Sequence, residues 1–91
     1  MPNWTNPRFD WDDGNVDKII DRHDVYPLEA EEIFFDRRRV IQRDGRRYRC
    51  YGRTATGRLL FVVCEDRRGR IRVISARDMD ADDRRFYARH S

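Results

Sequence analysis

Three turn signals between Val40 and Arg77 constrain this chain more than any other feature. Asp44-Gly45 separates Val40-Ile41 from Tyr48–Cys50, and Asp-Gly between apolar runs is a strong short-range hairpin signal. "RTATGR" holds a second turn with Gly57. Asp66-Arg67-Arg68-Gly69 reads as a type I turn closed by Gly69 in a left-handed bulge position. Short, β-branched and aromatic runs separated this way predict a four-stranded antiparallel meander.

Helical patterns flank it. Phe9 and Trp11 alternate as a short strand, and Asp12 or Asp13 caps a helix. Val16, Ile19, Ile20 and His23 recur at helical spacing. Pro27 opens a second helix, with Ala30, Ile33 and Phe34 as its buried face. The chain closes in a third helix, with Asp80 as cap and Asp83 in its first turn. Ninety-one residues make one domain, 1–91, with no linker or repeat.

Turn chemistry then sets the faces, because side chains alternate along a strand. A two-residue turn at Ala55-Thr56 pairs Cys50 with Phe61, and a three-residue loop at Arg67–Gly69 pairs Val63 with Val73. One face carries Tyr48, Cys50, Leu59, Phe61, Val63, Ile71 and Val73, and packs on the helices. The other carries Arg47, Arg49, Tyr51, Arg53, Arg58, Leu60, Val62, Cys64, Arg70, Arg72 and Ile74. Cys50 and Cys64 fall on opposite faces, out of disulfide reach, and both are read as reduced.

Charge sharpens the picture. Charged residues are 41% of the chain, a value common in disordered segments, but the apolar residues are clustered and periodic. Residues 1–36 carry three basic and ten acidic side chains, a net of −7; residues 37–91 carry seventeen and seven, a net of +10. The segregation points to a polyanion partner for the second part. A compositional origin stands beside it, since nineteen of the twenty basic residues are Arg. No apolar stretch reaches a membrane span, and "MPNWTNPRFDWDD" lacks the pattern of a signal peptide. The expected location is cytoplasmic. Neither two cysteines nor any other set has metal-ligand spacing, so neither metal nor cofactor is expected.

A sheet face of arginines with a tyrosine suits single-stranded nucleic acid, because guanidinium grips phosphate bidentately and a ring stacks on a base. It is equally the surface expected where arginine stems cover apolar residues. RNA carries its own nucleophile, the 2′-hydroxyl. Cleavage then needs charge stabilisation and proton transfer, and Arg53, Arg58, Arg72, Arg77, Tyr87 and His23 are the available groups. His23 fits half-buried packing as well as catalysis, and Tyr87 fits core packing as well as chemistry.

"FDWDDGNVDKIIDRHDV", "EAEEIFF", "GRTATGRLLFVV" and "RIRVISARDMDADDRRFY" resemble, in order and over about residues 9–87, the BrnT family of type II toxin–antitoxin systems. Asp24 stands where the family usually ends a helix with Gly, Tyr26 where it has Ser or Thr, and Asp83 where Glu is common. The stretch from Asp36 to Arg47 is shorter than in many members. The resemblance implies an α+β, RelE-like fold: a small antiparallel sheet with an N-terminal helix pair on one face, and a C-terminal helix. It implies a metal-independent endoribonuclease that inhibits translation and is neutralised by a BrnA-type antitoxin. Operator DNA is reached only through that antitoxin. The catalytic candidates are Arg77, Arg53, Tyr87 and His23, and the RNA-binding candidates are Arg47, Arg49, Tyr51, Arg58, Arg70 and Arg72. In alternation from Arg70, Arg77 needs a bend or bulge near Ser75 to reach the basic face; otherwise it anchors the last helix through Asp78, Asp80 or Asp83. The alternatives to a toxin are a non-catalytic RNA-binding or co-repressor module and a small adaptor that docks a partner helix.

Overall fold

The computed structural model describes residues 1–91. Helix α1 spans Asp13–His23 and α2 spans Pro27–Glu32, continued by a 3₁₀ turn at Ile33–Phe35. Strands β1 (Val40–Asp44), β2 (Arg47–Arg53), β3 (Leu59–Arg67) and β4 (Arg70–Asp78) follow, then α3 (Ala81–His90). The four strands form one antiparallel sheet in the order β1-β2-β3-β4, the predicted meander. The sequence pattern at Phe9 yields less than a strand: a parallel bridge to Ile71, with Asp10 N–H donating to the Ile71 carbonyl at 2.9 Å. That bridge covers the outer edge of β4.

Asp12, not Asp13, caps α1; its carboxylate accepts the Asn15 N–H while its own N–H donates to Asn15 Oδ1. Asp24 ends the helix in the left-handed region at φ 52°, the conformation that glycine takes most easily and Asp tolerates. His23 is exposed, not half-buried as its place on the helical stripe suggested.

The core lies between the helix pair and one face of the sheet. Ile19, Val25, Ala30, Ile33 and Phe34 meet Tyr48, Cys50, Leu60, Val62, Cys64, Ile71, Val73 and Ala76. Trp4 closes one end, stacked on Phe34 at 6.1 Å and edge-on to Tyr48 at 5.0 Å. Gly52 lies against the 3₁₀ turn so closely that a Cβ there would sit 2.7 Å from Ile33 Cβ.

The register differs from the sequence expectation at both later turns. The β2–β3 loop has three residues, Ala55–Gly57, with Gly57 at φ 95°, and Arg53 pairs with Leu59 and Cys50 with Val62. The β3–β4 loop has two, Arg68-Gly69, both at positive φ (56° and 83°), which is a type I′ geometry. The slip turns β3 over. Leu60, Val62 and Cys64 are core, while Leu59, Phe61 and Val63 face away. Cys50 and Cys64 therefore share the core face, as free thiols with Sγ atoms 3.7 Å apart.

Candidate functional site

A β-bulge decides which side chains share the sheet face away from the core. The pairing shifts between Val63 and Cys64, so that Cys64 faces Val73 and Val63 faces Ser75, with Ile74 left over. The extra residue swaps the alternation of β4. Arg77 thereby lands on the same face as Arg72, opposite Phe61. The freed Val73 carbonyl accepts the side-chain amide of buried Asn15 at 3.1 Å, which ties α1 to the bulge.

Helix α3 covers part of this open face through a stack of rings. Tyr51 and Phe61 are 5.1 Å apart, Tyr51 and Phe86 4.7 Å, and Phe86 and His90 4.1 Å. The Arg77 guanidinium lies 4.5 Å over Phe61 and pairs with Asp83 at 2.6 Å. Tyr51 stands on the expected face but is buried under Phe86, and burial raises its phenol pKa. Its ring is not open to stacking on a base.

The arginines divide by their partners. Arg58 is not on the open face. Its guanidinium binds Asp78 at 2.7 Å, Glu29 at 3.0 Å and the carbonyls of Asp24 and His23. These bonds, those to Asp78 foremost, hold it more firmly protonated than an ordinary arginine. Arg72 is bound to Asp12 and Asp10, at 3.0 and 3.5 Å. Arg49 pairs with Asp44, and Arg47 loosely with Glu65. The acidic first part of the chain thus spends part of its charge on the arginines that follow. Arg70 and Arg53 are exposed and make no ion pair or side-chain hydrogen bond within the molecule.

Arg53 opens onto a cleft of about 500 Å³ lined also by Asp36, Arg37, Arg38, Leu59 and Tyr87. The Tyr87 hydroxyl donates to Asp36 Oδ2 at 2.5 Å. The same carboxylate accepts the backbone N–H groups of Arg53 and Arg38, each at 3.0 Å. Burial first, and then Asp36, push the Tyr87 phenol up to about 12. It keeps its proton throughout the neutral range and can only donate it. Beside the cleft, a groove of about 320 Å³ runs between Phe35 and the Thr54-Ala55 loop.

Of the catalytic candidates, the structure brings Arg53 and Tyr87 into one cleft and puts Arg77 on the same sheet face. His23 ends α1, on the core side, where its carbonyl accepts from Arg58. Sequence reading assigns no role to Asp36, Arg37 or Arg38. The only signal for them is local: an acid followed by three arginines where a buried helical turn ends. No three His, Cys, Asp or Glu side chains are grouped so as to hold a metal ion.

Residues 11–83 match the family described as the ribonuclease toxin, BrnT, of type II toxin–antitoxin systems. The chain belongs to the BrnT family. Among solved structures it is similar to the ribonuclease toxin BrnT of Brucella abortus, with a TM-score of 0.65 over 82% of this chain and 99% of that one. Identity is 15%, so this likeness speaks for the fold: α+β, with a four-stranded antiparallel sheet. Comparison with curated proteins gives no match. A BrnT-family toxin acts on RNA and is one half of a toxin–antitoxin pair. No helix of this chain is long and apolar enough to cross a membrane.

Proposed function

We propose that this chain is a metal-independent endoribonuclease toxin whose cleft around Arg53 and Tyr87 cuts RNA through the substrate's own 2′-hydroxyl. The observation that carries this reading is the convergence of unpaired cationic side chains with a Tyr–Asp hydrogen bond in one exposed cleft. Arg53, Arg37 and Arg38 bind the phosphate and stabilise the charge that grows on it. The Asp36 carboxylate takes the proton of the 2′-hydroxyl, and the 2′-oxygen bonds to phosphorus. The bond from phosphorus to the 5′-oxygen breaks, and Tyr87 gives that oxygen its proton. Asp36 then returns a proton to Tyr87 along their shared hydrogen bond, and the pair is reset. Arg77 acts as a positioning residue: through Asp83 it holds the helix that carries Tyr87.

Translation inhibition follows from RNA cleavage in the cytoplasm. A BrnA-type antitoxin covers the basic face and carries the contact with operator DNA. The layout, helices behind a small sheet and arginines with a late tyrosine in front, is RelE-like. In this reading Arg70, Arg47 and Arg49 extend the RNA path along the open face. Arg58 and Arg72 belong to the scaffold, and His23 stays outside the chemistry.

The test is cleavage of labelled RNA in EDTA. The expected products end in a 2′,3′-cyclic phosphate or a 3′-phosphate, and a 2′-deoxy nucleotide at the cut site blocks the reaction. Loss of activity on chelation with rescue by a divalent ion overturns the mechanism. RNA that is bound but never cut moves the chain to the non-catalytic reading.

A further inference from the structure

The groove next to the cleft shares Asp36 and Arg53 with the chemistry above, but Glu32, Phe35 and the Thr54-Ala55 loop have no part in it. It is lined by Glu32, Phe35, Asp36, Arg53, Thr54 and Ala55. One wall is the end of α2 with its 3₁₀ turn; the other is the loop after β2. Glu32 and Phe35 are three residues apart and so lie on one side of the helical turn. Glu32 Oε1 accepts the Ala55 N–H at 3.1 Å, which fixes the loop against the helix and leaves Oε2 without a partner. Phe35 is 64% exposed, whereas its neighbours Ile33 and Phe34 are 1% and 2% exposed. The fold buries two residues of this turn and leaves the third, an aromatic ring, facing the groove.

We infer that the groove is a nucleobase subsite: the base beside the cleaved phosphate stacks on Phe35 and offers its N–H donors to Glu32, an arrangement that favours guanine. The inference rests on the reading of the cleft as the phosphate site. Asp36 and Arg53 line both the groove and the cleft, so a phosphate on Arg53 places the adjoining base at the groove. The size is at the small end of ligand pockets, which begin at about 300 Å³. A free aromatic face suits any base, since every base has a π-face. Selection comes from the edge. A carboxylate only accepts hydrogen bonds, and guanine presents two adjacent donors on its Watson–Crick edge, the ring N–H and the amino group. Adenine and cytosine present an amino group beside an acceptor nitrogen, and uracil a single N–H between two carbonyls.

The experiment uses 2′-deoxy pentanucleotides in which only the central position carries a base and the others are abasic. Binding is read by fluorescence anisotropy for the wild type, Phe35→Ala, Phe35→Trp, Glu32→Gln and Arg53→Ala. The wild type is expected to hold central guanine best. Phe35→Ala weakens every base-bearing oligonucleotide, by between about fivefold and about 100-fold, and leaves a fully abasic one unchanged. Phe35→Trp restores binding. Glu32→Gln removes the preference for guanine and spares central thymine. If Phe35→Ala binds all of them as the wild type does while Arg53→Ala releases them, the subsite is wrong and the phosphate site stands. If Phe35→Ala spares the oligonucleotides and weakens the antitoxin instead, the groove is a protein-docking surface and the inference is overturned. Failure of the wild type to bind any oligonucleotide at low salt removes the phosphate reading, and the subsite with it.

Discussion

Tyr87 and Asp36, fifty-one residues apart in the chain, are joined by a hydrogen bond of 2.5 Å that links the last helix to the stretch before the sheet. The tyrosine comes from α3 and the carboxylate from the end of the helix pair. In the proposed mechanism neither element suffices alone, and the bond between them brings acid and base together. Tyr87→Phe removes the proton donor with little change of shape. Cleavage should fall by about 10²–10⁴, measured as the single-turnover rate on an RNA oligonucleotide, with RNA affinity retained.

The same bond has a pH signature. Tyr87 ionises near 10 in the unfolded chain and near 12 when folded. A raised value means that the folded state holds its proton longer. The associated stability is whole below pH 10 and lost as the pH rises through about 12. Melting temperature measured from pH 8 to 12 should therefore drop more steeply for the wild type than for Tyr87→Phe. Parallel curves would show that the phenol is neither buried nor bonded to Asp36 in solution.

Arg53→Ala separates binding from folding. The side chain is exposed and has no partner to lose, so the melting temperature should stay the same. RNA affinity should fall, and the slope of log affinity against log salt should flatten by roughly 0.7, the value of one contact to a single strand. Arg77→Ala should show the opposite split. Freeing Asp83 loosens α3, so the cleavage rate falls while affinity at low salt is retained. Equal loss of both quantities in the two variants would remove the distinction between them.

Arg58→Met tests a scaffold role. The wild-type guanidinium, from the residue just before β3, joins the end of β4 at Asp78 to the ends of both N-terminal helices through Glu29 and two backbone carbonyls. Its loss should cost about 2 kcal/mol, or about 10 °C of melting temperature in a domain of this size, with RNA affinity unchanged. Arg58 also holds the Asp78 carboxyl below its ordinary value. The stability tied to Asp78 is present above the ordinary carboxylate range and lost as the pH falls through the lowered one. The variant's acid limb should be shallower than the wild type's. Calorimetry between pH 2 and 7 reads both effects.

Gly52→Ala tests the contact that sets the helix pair on the sheet. The new methyl would lie 2.7 Å from Ile33 Cβ and 2.8 Å from its carbonyl oxygen. Overpacking of this kind costs about 1–3 kcal/mol. The part that must yield is the turn leading to Phe35 and Asp36, so cleavage should suffer along with stability. Denaturant unfolding and the cleavage rate together check it.

The strands, the helices and their caps were legible because each rests on local chemistry: Pro27 opening α2, Asp80 capping α3, glycine in the hairpin loops. The register was not. "LLFVVC" is apolar at every position of β3, so alternation says nothing about which half of it faces the core. Only the turn could decide, and "TATG" allows two residues or three. At the next turn Arg68 takes a positive φ that its residue type does not announce. The two slips put Phe61 where Leu60 was expected and reunite the two cysteines on one face. The bend that Arg77 needs was legible as a requirement near Ser75, and the bulge lies beside it, at Ile74. Asp36 escaped because its partner is fifty-one residues away, and pairing at that distance leaves no local pattern.

Helix α3 has no buried residue, and that fact gives the molecule two levels of order. The sheet and the first two helices share the core, whereas α3 is held by one ion pair, two side-chain hydrogen bonds (Tyr87 to Asp36 and Arg84 to the Met79 carbonyl) and a stack of rings. Segments held so lightly open on their own, well below the free energy of global unfolding, and their amides exchange early. Detachment of this ten-residue helix carries Tyr87 away and leaves the arginines in place. On the proposed mechanism this opening leaves a form that still grips RNA and no longer cuts it, while the meander behind remains intact.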